Sequence, residues 1–216
     1  MVEKGDRREE KRKRIMQAAL KIFSRKGYTP AAVDEVAAEA GIGKGTLYLY
    51  FKDKEELFFS TIMSVVENLA SMIQSEIPDG LSSVEALFRL GRLQFEFFSR
   101  NRDFFNIYLT ILNYNLLSNY TDLFQSLVDK QKLLYEFEVE IVEKGKREGY
   151  IRKDIETGLI VSSFQGMIHD VVAKMCFDNT SVSFDADEKA KLVMKLFLEG
   201  AGTSSGLYGR SYNKWQ

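Results

Sequence analysis

The chain has 216 residues, 45% hydrophobic and 28% charged, a balance that is typical of a folded globular protein and excludes bulk disorder. One cysteine, Cys176, excludes an intramolecular disulfide, and one histidine, His169, leaves little material for a zinc site or a histidine relay. The net charge of −1 hides a basic excess over residues 1–54 and an acidic excess beyond them, which suggests a polyanionic partner for the first segment. On charge alone, a solvated charged helix is the favoured interpretation.

No feature of the sequence indicates membrane insertion or export. No stretch approaches 18 consecutive apolar residues, the length needed for a transmembrane helix. The N-terminus is charged, and Lys21 interrupts the first apolar segment, which does not fit a signal peptide. We therefore expect a cytoplasmic protein without membrane association.

Apolar residues recur at helical spacing along the chain, which predicts an all-α fold. Gly27 is expected to end the first helix and Gly149 to end a later one. The starts of three later helices are expected to be capped by Asp53 with Glu56, by Asp154, and by Asp185 with Glu188. The further predicted helices cover about 32–40, 44–50, 54–75, 82–99, 102–118, 121–148, 155–177 and 186–202.

The segment from Val33 to Phe51, VDEVAAEAGIGKGTLYLYF, has the spacing of a helix-turn-helix. Ala37 supplies a small residue where two short helices cross, and Gly41 supplies the residue that tolerates a positive φ at the turn. The inward apolar positions are Val36, Ala40, Ile42 and Leu47. Together these residues predict three N-terminal helices that form a helix-turn-helix domain.

The second helix of this motif is expected to expose Lys44, Gly45, Thr46 and Tyr48. Recognition helices meet base edges through their N-terminal residues, and lysine donates to guanine acceptors or phosphates. Lys54 opens the following helix, where free backbone N–H groups favour an anion. A helical corner with solvated polar residues is the structural alternative.

These residues are similar to the TetR family of bacterial transcriptional repressors. The matching pieces are IMQAALKIF from Ile15, Gly27-Tyr28, VDEVA from Val33, Ala40-Gly41, and GTLYLYFKDKEELF from Gly45. The resemblance implies a homodimer with an N-terminal DNA-binding domain and a C-terminal domain for ligand binding and dimerisation. By position it implies DNA contacts from Lys44, Gly45, Thr46, Tyr48, Tyr50 and Lys54.

Two positions depart from the family pattern. The family usually has a Thr or Ser pair at the start of the second helix, and this chain has Ala31 and Ala32, so we expect the cap to move to Thr29. A serine usually caps the recognition helix, and Gly43 replaces it. Neither hydroxyl contact is therefore carried over to this chain.

Beyond residue 54 the chain is rich in aromatic residues, because 14 of the 16 phenylalanines of the protein lie there. Such a stripe is more often plain core than a ligand cage. The resemblance raises the chance of a cavity for an apolar or aromatic ligand, against the second half of the helix at 54–75. The polar candidates are Glu96, Asp103, His169 and Asp170, and the predicted ligand-binding set is Phe95, Phe98, Phe105, Tyr108, Phe164 and His169.

The helix at 155–177 is apolar on more than one face. We expect one face to pack in its own domain. The other face, together with the helix at 186–202, is expected to pack against a second copy of the chain. A central core helix in a monomer is the alternative. The predicted domains are 1–54 for DNA binding, 55–78 as a connecting helix, 79–202 as the ligand-binding and dimerisation bundle, and 203–216 as a tail.

The sequence therefore predicts a ligand-responsive regulator that binds a double-stranded DNA operator, with repression relieved by a small molecule. A constitutive or activating DNA-binding regulator is the alternative. An enzyme on a helical bundle is the remote one, since no Gly-rich phosphate loop, HExxH or serine-nucleophile motif occurs. No catalytic residue, metal or cofactor is predicted.

Overall fold

The computed structural model describes residues 2–112, 122–177 and 185–201, and within them every regular element is a helix. In chain order the helices are α1 (Val2–Lys26), α2 (Val33–Glu39), α3 (Lys44–Leu47), α4 (Lys54–Glu76), α5 (Ser83–Arg100), α6 (Arg102–Leu112), α7 (Asp122–Glu148), α8 (Thr157–Phe177) and α9 (Ala186–Ala201). The predicted all-α class is confirmed. The predicted tail at 203–216 and the end of the helix predicted at 102–118 lie outside the described residues.

The chain divides into two compact units. Among the described residues, the first contains 2–67, 102–112 and 122–129, and the second contains 68–101, 130–177 and 185–201. The unit that holds the helix-turn-helix therefore also includes α6 and the beginning of α7.

The core of the first unit is aromatic. The ring of Phe58 from α4 lies 5.0 Å from Phe23 of α1 and 4.7 Å from Tyr28, measured between ring centroids. Helix α6 packs on α1, and its Asp103 accepts a hydrogen bond from Ser24 Oγ at 3.1 Å. These contacts hold α1 and α4 in place around the two short helices α2 and α3.

In the second unit, α5 packs against both α8 and α9. Helix α5 is buried along most of its length, and Phe164 of α8 contacts Phe197 of α9 with ring centroids 5.0 Å apart. Burial of this apolar surface is the main source of stability for a helical unit, because isolated helices are marginal in water.

Helix α4 contains an apolar stretch that the sequence analysis did not identify as a candidate membrane span. Among the described residues it is the one helix long and apolar enough to cross a membrane by length and composition. Core helices of soluble proteins meet the same criterion, and Leu57, Phe58 and Ile62 of α4 are all buried.

Candidate nucleic-acid interface

The turn between α2 and α3 has the geometry predicted from its glycine. Gly41 adopts φ = 65°, a left-handed conformation that favours glycine. The chain then closes on itself through a hydrogen bond of 2.9 Å from the N–H of Ile42 to the carbonyl of Ala37. Val36 and Leu47 are fully buried on either side of the turn, so both short helices are anchored by one apolar contact surface.

Helix α3 is shorter than predicted. The sequence predicted a helix over 44–50, whereas α3 ends at Leu47 and residues 48–50 form a turn. Gly43 is the N-cap in extended conformation and makes no side-chain cap bond. With only one regular turn, the helix is positioned mainly by the buried side chains of Leu47 and Phe51.

The N-cap of α2 is not at Thr29, where the sequence analysis expected it. Ala32, not Thr29, occupies the N-cap position and offers no side-chain acceptor. Glu35 takes over part of the capping, because its Oε2 accepts the N–H of Ala32 at 3.3 Å. Its other oxygen accepts a hydrogen bond of 2.5 Å from Lys26 Nζ, and this bond is the main reason that the pKa of Glu35 lies below its usual value.

The residues predicted to face DNA lie at the surface. The side chain of Lys44 is 56% exposed, and Tyr48 is 44% exposed. Gly45 is exposed and has no atom within 4 Å of where a Cβ would lie, and Thr46 is half-buried. This face is therefore available to a partner without rearrangement of the core.

Lys44 forms an ion pair that the sequence analysis missed. Its Nζ lies 2.7 Å from Oδ1 of Asp34 on α2, and this hydrogen bond raises the pKa of the lysine. Exposed pairs of this kind contribute little to stability. The carboxylate nevertheless occupies one of the three donors of the lysine and places a negative charge on the exposed face.

Tyr50 and Lys54 lie at the edge of this face. Tyr50 is half-buried, with the guanidinium of Arg8 5.9 Å from its ring centroid. Lys54 Nζ donates to the carbonyl of Thr29 at 2.9 Å and lies 4.7 Å from the ring centroid of Tyr28. Partial burial lowers the pKa of Lys54.

The predicted cap of α4 holds Lys54 in this position. Asp53 Oδ1 accepts the N–H of Glu56 at 2.8 Å, as the spacing predicts. Glu56 in return accepts the N–H of Lys52 at 2.6 Å. The two bonds hold the backbone where α4 begins, next to Lys54.

The residues predicted to bind a ligand fall in both units. Phe95, Phe98, Phe164 and His169 belong to the second unit, whereas Phe105 and Tyr108 belong to the first. The four phenylalanines are buried in their cores. His169 is half-buried, and burial lowers its pKa; the side chain of Tyr108 lies outside the described set.

The other predicted polar anchors are bonded within the protein. Glu96 pairs with Arg92 at 2.6 Å, and Asp170 pairs with Lys174 at 2.6 Å on the surface of α8. Asp103 is bound to Ser24 in the first unit.

The sequence analysis did not identify Glu138, an acidic residue whose surroundings raise its pKa. Its Oε1 accepts a hydrogen bond of 2.5 Å from Gln165 Nε2, which joins α7 to α8. Burial raises the pKa of Glu138 to about 8, partly offset by this hydrogen bond. Its position three and four residues before the buried Ile141 and Val142 is the sequence signal that could have revealed it.

Helices α8 and α9 leave apolar side chains at the surface. Leu159, Leu192 and Leu196 are 58%, 49% and 63% exposed, and Ser162, Ser163 and Gly166 of α8 are also exposed. The opposite faces of both helices are buried in the second unit, whereas the exposed face of α8 carries Leu159 together with small polar residues and glycine.

Two short helices around a glycine turn, with a cationic second helix exposed, define a helix-turn-helix protein. Residues 15–61 match the family model described as bacterial regulatory proteins, tetR family. The helix-turn-helix region of this chain is therefore similar to that of the tetR family, over 47 of the 216 residues.

A curated relative and two solved structures are similar to this chain over more of its length. The chain is 27% identical over 192 residues to YerO, an uncharacterised HTH-type transcriptional regulator of Bacillus subtilis, a match that spans 86% of this chain and 63% of YerO. The chain thus covers less than two thirds of the length of this relative.

Its fold is similar to that of the ketosteroid transcriptional regulator KstR2 of Mycobacterium tuberculosis, with a TM-score of 0.74 at 22% identity over 89% of this chain and 95% of that one. It is also similar to FadR from Bacillus subtilis in complex with stearoyl-CoA, with a TM-score of 0.69 at 22% identity over 87% and 97% of the two chains.

Proposed function

We propose that this protein is a homodimeric, cytoplasmic transcriptional regulator that binds an operator in double-stranded DNA through Lys44, Gly45, Thr46, Tyr48, Tyr50 and Lys54. The observation that carries the proposal is the exposed, cationic N-terminal turn of α3 on a buried helix-turn-helix core. Lys44 and Gly45 would enter the major groove, and the hydroxyls of Thr46 and Tyr48 would bond phosphate oxygens. Lys54 has donors left after its bond to Thr29 and would bind a phosphate.

The test begins with operator selection from genomic fragments on the immobilised protein, followed by mobility shift. Lys44→Ala and Tyr48→Ala should each weaken operator binding about tenfold, within the range of ~1–3 kcal/mol for such contacts. Lys54→Ala should weaken binding to all sequences alike and reduce the salt slope by about one unit. Lys153→Ala, an exposed lysine of the second unit, is the control and should bind as the parent does. Wild-type affinity for α3 variants would contradict the proposed interface.

We further propose that the protein is a repressor and that a small apolar or aromatic molecule, bound among aromatic residues of the helical bundle, releases it from the operator. The buried Phe95, Phe98 and Phe164 support this, and so does the stearoyl-CoA in the solved complex of FadR. A ligand releases DNA when it favours a non-binding conformation by a few kcal/mol.

Stearoyl-CoA is the first probe, with free coenzyme A as its control and a crude metabolite extract as the broad test. Release of the operator by either stearoyl-CoA or the extract, but not by coenzyme A, is the expected result. Tighter binding would indicate a ligand that promotes DNA binding. Unchanged affinity with both would leave the constitutive regulator as the function.

A further inference from the structure

The first turns of α1 carry a segregated set of basic residues. Helical geometry places Arg7, Arg8, Lys11, Arg12 and Arg14 on one side of α1, and we call this set the basic stripe. Glu9 and Glu10 flank the stripe on its two edges, and Lys13 lies on the other side. The stripe lies before residue 15, where the match to the family model begins, so that match does not account for it.

The stripe continues the line of the helix that packs into the core. Counting toward the N-terminus from buried Ile15 in steps of three or four residues leads to Arg12 and Lys11, and then to Arg8 and Arg7. The apolar side of α1 thus becomes a cationic side where the helix extends past the core. All residues from 7 to 14 are charged, and this segment of α1 is about 12 Å long at 1.5 Å per residue.

Two contacts fix the stripe beside the recognition surface. The guanidinium of Arg8 lies 5.9 Å from the ring centroid of Tyr50, and that of Arg12 lies 5.0 Å from the ring centroid of Phe51. Both aromatic residues closely follow α3 in the chain. Cation–π stacking of this kind holds the arginines against the domain, and it leaves the exposed Arg7 and Arg14 on the same side of the helix.

We propose that the basic stripe is a second DNA-binding element, which clamps backbone phosphates next to the site read by α3. The five cations of the stripe repel one another in the free protein, and a polyanion would relieve that repulsion. A duplex seated on α3 brings phosphates to the adjoining surface, since each strand carries one roughly every 3.4 Å along its axis. The proposal rests on the DNA-binding function proposed above.

The decisive variant is the triple substitution Arg7→Gln, Lys11→Gln, Arg14→Gln. Its matched control is Lys13→Gln, Arg25→Gln, Lys153→Gln, which removes the same charge from exposed positions outside the stripe. Each phosphate contact contributes about 0.9 to the slope of log K against log salt, so the stripe variant should lose roughly 2–3 units and the control almost none. Hydroxyl-radical footprinting should show lost protection beside the α3 contacts, while guanine contacts within them persist. Thermal unfolding should be unchanged in both variants.

The outcomes separate this proposal from the one on which it rests. If the parent protein protects no DNA site, the DNA-binding function itself fails. If the parent protects a site and the stripe variant matches the control in slope and footprint, only the stripe proposal fails. Equal losses in both triple variants also overturn it, because positive charge anywhere on the chain would then suffice. A lower slope together with lost flanking protection in the stripe variant alone supports it.

Discussion

At the scale of single residues, the ion pair between Lys44 and Asp34 competes with the DNA contact proposed for Lys44. The lysine is the first side chain of α3 and the best placed to donate to a base or phosphate, yet its ammonium is bonded to a carboxylate 2.7 Å away. DNA binding must break or share this bond, and the carboxylate also repels phosphates. We therefore expect Asp34 to limit operator affinity and to contribute little to the stability of the fold.

Replacing Asp34 with asparagine should tighten operator binding several-fold, because Lys44 is released and a negative charge is removed from the exposed face. Glu39→Gln is the matched control: Glu39 lies on the same helix, and its partner is Lys21 at 3.2 Å, away from α3. Both variants change the net charge equally. Mobility shift at several salt concentrations compares them, and equal gains for both would show that only net charge matters.

Glu138 predicts a pH dependence of stability. Its pKa is raised to about 8 in the folded protein, chiefly by burial, against 4.5 for an ordinary glutamate carboxyl. Between these values the folded state holds a proton that the unfolded state has lost, so the free energy of unfolding should fall as pH rises from about 5 to about 8. The slope is at most ~1.4 kcal/mol per pH unit for one proton.

Glu138→Gln should flatten this pH dependence, since the amide keeps a partner for Gln165 and has no proton to lose. Urea denaturation at fixed protein concentration across this pH range measures the effect. Glu140→Gln, at an exposed position of the same helix, should retain the slope of the parent. An equal slope in the Glu138→Gln variant and in the parent would contradict the protonated carboxyl.

At the scale of elements, the sequence predicted helices well where a local signal existed. The stop at Gly149 (φ = 81°) and the cap at Asp185, which accepts the N–H of Asp187 at 2.9 Å, are both confirmed. The cap predicted at Asp154 is wrong, because this residue pairs with Arg152. Glu156 instead accepts the N–H of Gly158 at 3.0 Å.

What the sequence could not predict depends on tertiary contacts. The Asp34–Lys44 and Glu138–Gln165 bonds join different helices, and their residue types are equally common on solvated faces. The short α3 is a similar case, since the alternation of polar and apolar residues continues through Tyr50 although the regular helix ends at Leu47. The spacing around Gly41 was predictable because a steep helix crossing imposes local steric demands.

Gly145 of α7 offers a test of packing that no sequence pattern signals. A Cβ at this position would lie 2.6 Å from Ile151 Cδ1 and 3.0 Å from Ser83 Oγ, both on buried residues. Gly145→Ala should therefore lower the free energy of unfolding by ~1–3 kcal/mol, the usual cost of overpacking.

Gly91→Ala in α5 is its control. The new methyl would meet Phe164 at 3.6 Å and Ile168 at 3.7 Å, ordinary van der Waals distances. Alanine also favours the helix over glycine by up to ~1 kcal/mol, so this variant should be neutral or more stable. Denaturant titration ranks the two, and a Gly145→Ala variant as stable as the parent would show that Ile151 moves at little cost.

At the scale of the whole molecule, the proposed dimer depends on the apolar surface of α8 and α9. Leu159, Leu192 and Leu196 are exposed, and a second copy would bury them; a specific dimer needs about 1,200 Å² of interface or more. A dimer also presents two recognition helices to two half-sites, which multiplies affinity.

Leu196→Glu should convert the dimer to a monomer, because it introduces a charge at a position that a second copy would bury. Leu133→Glu on α7 is a close control, since Leu133 is 60% exposed and Leu196 is 63% exposed. Light scattering at micromolar concentration should report a monomer for the first variant and a dimer for the second. Operator affinity should fall only with Leu196→Glu, since a lone subunit holds a single half-site. If the parent protein is itself a monomer, or if both variants remain dimeric, the α8–α9 surface is not the interface, and its exposed leucines require another partner.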